Sequence, residues 1–260
     1  MIASPEDRTI VGTLLRSAKK RGDRGRPLPD TLLAVGRHFL GAPYRAGTLE
    51  GEGPEMLVVN LRGFDCMTFV ENAVVLAGLI RSGSAAFDDY ARALERIRYR
   101  RGRCDGFASR LHYFTDWLHC NGRKGLVRDI TGDIGGVPLR RRLHYLSDRR
   151  ADLPALRNPA AFLRLRIVEG ICSQRPFFFI PKALLERAQE GVTDGDIIAI
   201  TTDATGLDVC HVGLAVCLRG RVHLLHASSA AGRVVLSDEP LDRYLRAGRS
   251  RTGIIVGRAL

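Results

Sequence analysis

Residues 194–202, DGDIIAITT, mark the point where the chain changes from helical to strand-like periodicity. Short apolar runs separated by turn residues, typical of antiparallel strands, follow from there. They lie at 197–201, 210–218, 222–227, 234–236 and 254–256. Upstream, apolar residues recur at helical spacing. These segments lie at 32–40, 65–80, 87–99 and 108–120. Helices first and strands afterwards predict an α+β fold, with the helices packed on an antiparallel sheet or partial barrel.

Length and composition indicate a globular chain that buries its own core. Its 260 residues fit one large domain or two small ones, and no low-complexity linker divides them. We therefore predict a single domain, 1–260, helical to about residue 190 and sheet-forming from about 191. A hydrophobic fraction of 45% excludes a disordered chain. No apolar run is long enough for a membrane span, so we predict none.

The chain is strongly basic, with 40 Lys and Arg against 28 Asp and Glu and a net charge of +12. A basic surface favours polyanions such as nucleic acid, anionic lipid or an acidic wall polymer. The arginine clusters at 100–101, 140–142 and 149–150 are scattered, however, and no nucleic-acid-binding module is present. We therefore predict no specific nucleic-acid partner.

The segment 62–72, RGFDCMTFVEN, places Cys66 at the start of an amphipathic helix. Free backbone N–H groups and the helix dipole favour an anion there, which lowers the pKa of a thiol and activates it as a nucleophile. The alternative is that Cys66 is a small buried hydrophobic residue, as free cysteines often are.

Two histidines in the C-terminal half offer a base for that nucleophile. His211 begins the apolar run 211–216 and His226 ends the run 222–226, with a predicted hairpin turn between them. With a two-residue turn, at 219–220 or 220–221, both side chains share one face of the sheet. With the turn at 219–220 they are diagonal neighbours, within reach of each other. A three-residue turn would separate them.

A nucleophile on an early helix and a base on a later sheet follow the chain order of papain-like cysteine hydrolases.

Structural or surface roles are expected for the other histidines considered, which are His38, His144 and His223. Zinc ligation by Cys104, His112, His119 and Cys120 is disfavoured because their spacing matches none of the usual structural zinc sites. The six cysteines show no disulfide framework and no CxxC pair. Nucleotide-binding, serine-hydrolase and zincin motifs are also missing.

In several ordered segments the chain resembles the N-acetylmuramoyl-L-alanine amidase-like family of NlpC-type, papain-like cysteine hydrolases. The matching segments are LGAPY (40–44), GTLE (47–50), EMLVVNL (55–61), FDC (64–66), SRLHYFTDW (109–117), DGD (194–196), CHVG (210–213) and LHASS (225–229), with Tyr244 beyond them. The resemblance implies cysteine-dependent hydrolysis of an amide bond in peptidoglycan or muropeptides, with no cofactor and no metal.

By this resemblance Cys66 is the nucleophile, His211 the base and His226 the third polar residue. Tyr44 matches a tyrosine near the site. Asp65 resembles an acidic residue that contacts a substrate amine in related enzymes, although capping the Cys66 helix explains it equally well. Substrate-groove positions are also expected for Ser109, Arg110 and Tyr113, for which core or surface roles stay open.

Two features depart from the family pattern. Met67 and Thr68 follow the nucleophile where the wider clan often has Ser-Gly, so the substrate preferences of endopeptidase relatives do not transfer. The resemblance implies a periplasmic or extracellular protein, yet no leader is recognisable before residue 16 and a cytoplasmic location stays open.

Two alternatives to the amidase function stay open. One is an endopeptidase that cleaves between D-glutamate and the diamino acid of the stem peptide, and the other is a non-catalytic basic binding module.

Overall fold

Helices lie on both faces of an open antiparallel sheet in the computed structural model, which describes residues 1–51 and 53–260. The helices are α1 (Pro5–Arg21), α2 (Leu28–His38), α3 (Cys66–Ser82), α4 (Phe87–Arg98), α5 (Phe114–Arg123), α6 (Tyr145–Asp148), α7 (Pro159–Gln174), α8 (Leu185–Ala188) and α9 (Leu241–Ala247). The strands are β1 (Val127–Asp129), β2 (Val137–Leu139), β3 (Phe177–Pro181), β4 (Ile197–Thr202), β5 (Val209–Leu218), β6 (Arg221–Ser228), β7 (Arg233–Leu236) and β8 (Arg251–Ala259).

The sheet has the strand order β2-β3-β8-β4-β5-β6-β7, and β1 also pairs with β8. Strand β4 is buried along its whole length because both of its faces are covered. Ile197 and Ala199 face the large core made with α1 to α5. Ile198 and Ile200 face a second core that includes α8 and α9. Period-two alternation therefore divides one strand between two hydrophobic layers.

Most predicted elements are confirmed. The predicted helices at 65–80 and 87–99 correspond to α3 and α4, and the five predicted strands correspond to β4, β5, β6, β7 and β8. The sequence predicted helices packed on an antiparallel sheet or partial barrel, and the structure shows an open antiparallel sheet with helices packed on it.

Three sequence predictions need correction. The helix expected over 108–120 begins only at Phe114, because Arg110 pairs with Tyr99 in an isolated β-bridge and holds the chain extended. The polar Gly, Pro and Arg residues at 19–29 predict a loop after a short first helix, but α1 continues to Arg21 and ends at Gly22, which has a φ of 74°. The sheet also includes β1, β2 and β3, which precede the predicted division at about residue 190. Helix α7 has no counterpart among the predicted helices.

The β5–β6 hairpin has the two-residue turn at 219–220, one of the two positions predicted. Leu218 pairs with Arg221, and the same register pairs Leu214 with Leu225. Arg219 and Gly220 both have positive φ, 51° and 75°, as a tight type I′ turn requires.

The same register of the two strands, extended to Gly213 on β5, sets this glycine opposite His226 on β6. A Cβ at Gly213 would lie 2.9 Å from the Cβ of His226, so glycine leaves that imidazole its space.

We predict that Gly213→Ala destabilises the protein by about 1–3 kcal/mol, because the added methyl group overpacks a buried strand pair. The free energy of unfolding in urea measures the effect. Gly78→Ala in α3 is the matched control, since nothing lies within 4 Å of its Cβ position. That control should gain about 0.5–1 kcal/mol from helix propensity. Equal stability changes in the two variants would contradict the role of Gly213.

Candidate active site

Helix α3 begins at Cys66 because Asp65 and Thr68 cap it reciprocally. The Thr68 N–H donates to Asp65 Oδ1 at 2.7 Å, and the Asp65 N–H donates to Thr68 Oγ1 at 3.0 Å. This arrangement is a capping box, with threonine in place of the usual glutamate. The Met67-Thr68 departure from the family pattern therefore supplies one half of the cap.

The cap leaves two N–H groups of the first turn for the sulfur. Thr68 and Phe69 donate to Asp65, whereas the N–H groups of Cys66 and Met67 lie close enough to the thiol to lower its pKa. The backbone N–H of Val212, the residue after His211, also lowers the pKa of the thiol. Cys66 thus sits between a helix N-terminus and strand β5, with anion-stabilising donors on both sides.

The thiol is nevertheless protonated in the resting protein. Burial of the sulfur and then the charge of the Asp65 carboxylate raise the pKa of Cys66 to about 12, although the three N–H groups lower it. Part of the residue remains in contact with solvent. The site therefore holds a neutral thiol on a residue that is partly exposed.

The two histidines predicted to pair lie in direct contact. His211 Nε2 lies 2.6 Å from His226 Nδ1, and the rings meet edge to face with centroids 4.7 Å apart. The diagonal register of the hairpin makes this contact possible, as predicted. His226 is 2% exposed, whereas His211 keeps partial contact with solvent. His211 is therefore the more accessible ring of the pair.

Both imidazoles are neutral at physiological pH. Burial lowers the pKa of His211 to about 3, helped by His226 and by the positive charge of Arg251. Burial and Arg251 lower the pKa of His226 to about 4. A hydrogen bond between two neutral rings needs one N–H donor and one bare nitrogen, so the contact couples their tautomers.

Tyr244 of α9 packs against the histidine pair. Its ring centroid lies 6.2 Å from that of His211 and 5.6 Å from that of His226. The Arg251 guanidinium lies 4.0 Å from the Tyr244 ring centroid and also donates to the Tyr244 carbonyl. Burial raises the pKa of Tyr244, and the charge of a Cys66 thiolate would raise it further. Tyr244 is thus an aromatic side chain that lies near all three predicted catalytic residues.

A cavity of about 170 Å³ opens beside the first turn of α3. Its lining includes Asp65, Met67, Glu50, Arg110 and His112. The Arg110 guanidinium lies 2.8 Å from a Glu50 oxygen and 3.3 Å from a Glu55 oxygen. The cavity therefore presents fixed charges of both signs beside Asp65 and Met67, the two neighbours of Cys66 in the sequence.

A buried ion pair fixes α3 to α4 below this cavity. Arg98 Nε donates to Glu71 at 2.7 Å, and Arg98 Nη1 donates to the Val58 carbonyl at 2.6 Å. Both side chains are at most 3% exposed. Removing either partner would leave a buried charge alone, so this pair holds the Cys66 helix in place.

The predicted substrate residues divide into two groups. Tyr44 and Asp65 lie beside Cys66. Burial, then the charges of Cys66 and Asp65, raises the pKa of Tyr44, and Asp65 lines the cavity that Arg110 enters.

The structure places Ser109 and Tyr113 elsewhere. The Ser109 hydroxyl donates to the Gly106 carbonyl at 2.7 Å, and the residue lines a different groove. The Tyr113 hydroxyl donates to Glu169 at 2.8 Å in a buried contact. Neither residue is brought to the cavity beside Cys66.

Four further site residues carried no signal in the sequence. Gly213 and Tyr244 fall in matching segments without a predicted role, Arg251 is one arginine among many, and His112 was considered only for zinc. The potential zinc ligands are bound elsewhere. Cys104 Sγ contacts the Glu55 carbonyl and His112 Nε2 contacts the Phe107 carbonyl. Within residues 1–51 and 53–260, no group of three or more His, Cys, Asp or Glu side chains is arranged to hold a metal ion.

Comparisons with known proteins identify the family of this chain. Residues 34–254 match the family model described as N-acetylmuramoyl-L-alanine amidase-like. A crystal structure of an N-acetylmuramoyl-L-alanine amidase from Bacteroides uniformis is 36% identical, with a TM-score of 0.83 over 90% of this chain and 99% of that one. The chain therefore belongs to the N-acetylmuramoyl-L-alanine amidase-like family.

Two further solved structures are similar. A Bacteroides fragilis protein provisionally called a xylanase is 38% identical, with a TM-score of 0.80 over 87% of this chain and 99% of that one. A Legionella pneumophila protein is 20% identical, with a TM-score of 0.72 over 98% and 95%, and shows the shared fold alone. A search of the curated proteins finds no match.

The buried histidines make stability depend on pH. His112, like His211, has a pKa lowered to about 3, by burial and then by Arg110. Because the unfolded chain binds protons near pH 6.5, the free energy of unfolding should fall as the pH drops from about 6.5 towards 3. His112→Gln should reduce that slope by about 1 kcal/mol per pH unit, measured by urea unfolding at several pH values. The exposed His38 provides the control: if His38→Gln changes the slope as much, burial of His112 is not the cause.

Proposed function

We propose that this protein is a cysteine-dependent amide hydrolase of the NlpC-type, papain-like class, acting on peptidoglycan or its muropeptides. The observation that carries the proposal is the 2.6 Å contact between His211 on β5 and His226 on β6. The backbone N–H of Val212, which follows His211 on β5, lowers the pKa of the Cys66 thiol. A nucleophile, a base and a group that orients the base are the three parts such catalysis needs.

The chemistry starts from neutral groups. The His211 Nε2–H donates to His226 Nδ1, which leaves His211 Nδ1 bare to accept the thiol proton. As the Cys66 sulfur bonds to the amide carbonyl carbon, that proton moves to His211. The C–N bond then breaks and His211 returns the proton to the leaving amine. Water, deprotonated by His211, hydrolyses the thioester and restores the thiol.

The first turn of α3 stabilises the negative charge of the tetrahedral intermediate. The Cys66 backbone N–H contributes to the oxyanion hole, and the Met67 N–H lies beside it. Such preorganised donors typically contribute about 10²–10³-fold to the rate. No metal or organic cofactor is required, because the nucleophile, proton carrier and donors all come from this chain.

The cavity beside Cys66 is the place for the non-reacting part of the substrate. Arg110 and the acidic side chains Glu50 and Asp65 offer charge partners for a carboxylate and for an amine respectively. Tyr44 borders the thiol on the same side. Muropeptides carry both kinds of group on a short peptide attached to a sugar, and therefore suit this lining.

The family and the amidase from Bacteroides uniformis favour the bond between N-acetylmuramic acid and L-alanine as the scissile bond. The same family suggests a periplasmic or extracellular location. In the structure, which lacks a description of residue 52, no helix is long and apolar enough to cross a membrane.

We expect Cys66→Ala to lower kcat by about 10⁴-fold or more, because no other group replaces the sulfur nucleophile. Turnover of purified muropeptides measures the loss. The free energy of unfolding should change by only about 1 kcal/mol, since one partly exposed sulfur is removed. Cys217→Ala, an exposed thiol near the far end of β5, is the control and should keep wild-type turnover. Activity retained in Cys66→Ala would exclude the mechanism.

The scissile bond can be read from product masses. Wild-type enzyme incubated with a disaccharide-peptide should release a sugar that keeps its lactyl group but carries no amino acid, and a peptide beginning with L-alanine. Mass spectrometry detects both products. A sugar that retains L-alanine and D-glutamate would instead identify a stem-peptide endopeptidase. Salt-dependent binding to wall polymer with no Cys66-dependent product would identify a binding module.

A further inference from the structure

Helix α7 carries an unpartnered apolar stripe, made of Leu163, Ile167 and Ile171. These side chains are 61%, 55% and 54% exposed, although the opposite side of the same helix is buried through Leu165 and Cys172. A spacing of four residues puts the three on one face, about 6 Å apart along the axis. Three adjacent large aliphatic side chains in water indicate an interaction surface rather than scattered exposure.

A basic groove of about 490 Å³ borders the stripe and shares Ile167 with it. Four arginines contribute to its lining against a single carboxylate, that of Asp105: Arg100, Arg101, Arg103 and Arg164. Arg100 is neutralised by Asp116 at 2.7 Å. Arg164 reaches Asp105 only at 3.9 Å, with both side chains largely in water. Within residues 1–51 and 53–260, neither Arg101 nor Arg103 forms an ion pair, so the groove keeps excess positive charge.

We infer that the α7 stripe and its basic groove dock the protein on an anionic lipid bilayer. Aliphatic side chains enter the acyl boundary while guanidinium groups bind lipid phosphates, which is how interfacial helices attach to membranes. The net charge of +12 adds a long-range attraction to such a surface.

The aliphatic stripe distinguishes lipid from the other polyanions. A nucleic acid or an acidic wall polymer would engage the arginines but offers no apolar interior for Leu163, Ile167 and Ile171. The stripe also contains no aromatic ring on which a base would stack. Of these three polyanions, a bilayer alone satisfies both halves of the surface at once.

Vesicle sedimentation with purified protein tests this inference and requires no turnover, so it stands or falls separately from the hydrolase. At about 0.15 M salt, wild type should bind vesicles that contain phosphatidylglycerol and should not bind pure phosphatidylcholine. Leu163→Ser combined with Ile167→Ser should weaken binding by about tenfold or more, because apolar area is lost. Arg103→Gln combined with Arg164→Gln should weaken it by about fivefold per arginine.

Leu218→Ser is the matched control, an exposed leucine beside Arg219 and Arg221 at the β5–β6 turn, and it should bind as wild type does. Far-ultraviolet circular dichroism checks that each variant is folded. Equal binding to neutral and anionic vesicles, no binding to either, or binding unaffected by the stripe substitutions would overturn the inference. So would a dimer, seen by light scattering without vesicle binding, that the stripe substitutions convert to monomer.

Discussion

The register of the β5–β6 hairpin is the constraint on which the site depends. A turn of two residues, with positive φ at Arg219 and Gly220, sets every cross-strand pair up to the histidines. One residue more in the turn would move His226 to the other face of the sheet, because side chains alternate along a strand. Gly213 completes the arrangement by leaving space for the His226 side chain.

The Asp65 carboxylate has two opposing effects at the start of α3. Its carboxylate caps the helix through Thr68, and so leaves the Cys66 and Met67 N–H groups directed at the sulfur. The same negative charge adds to burial in raising the pKa of Cys66. Together with two neutral imidazoles, this favours a site without charge separation between the thiol and the histidine pair.

Sequence patterns predicted the elements that repeat regularly. The strands β4 to β8 and helices α3 and α4 have strong period-two or period-3.6 signals, and their ends agree with the structure within a few residues. The patterns failed where long-range contacts override local preference. Arg110 lies in an extended segment because Tyr99 and two glutamates hold it. Helix α7 is apolar on two sides, which weakens the one-sided pattern by which helices are found.

The sequence by itself determined the order of α3, α4 and the strands β4 to β8, the place of Cys66 at a helix start and the shared parity of His211 and His226. These features depend only on spacing along the chain, which local geometry converts directly into faces and ends. Only the tertiary structure decided which turn closes the hairpin, that Tyr244 and Arg251 surround the histidines, and that Ser109 and Tyr113 lie away from the thiol. Those outcomes depend on packing between segments far apart in sequence, where many arrangements share one local pattern and only burial and charge pairing select among them.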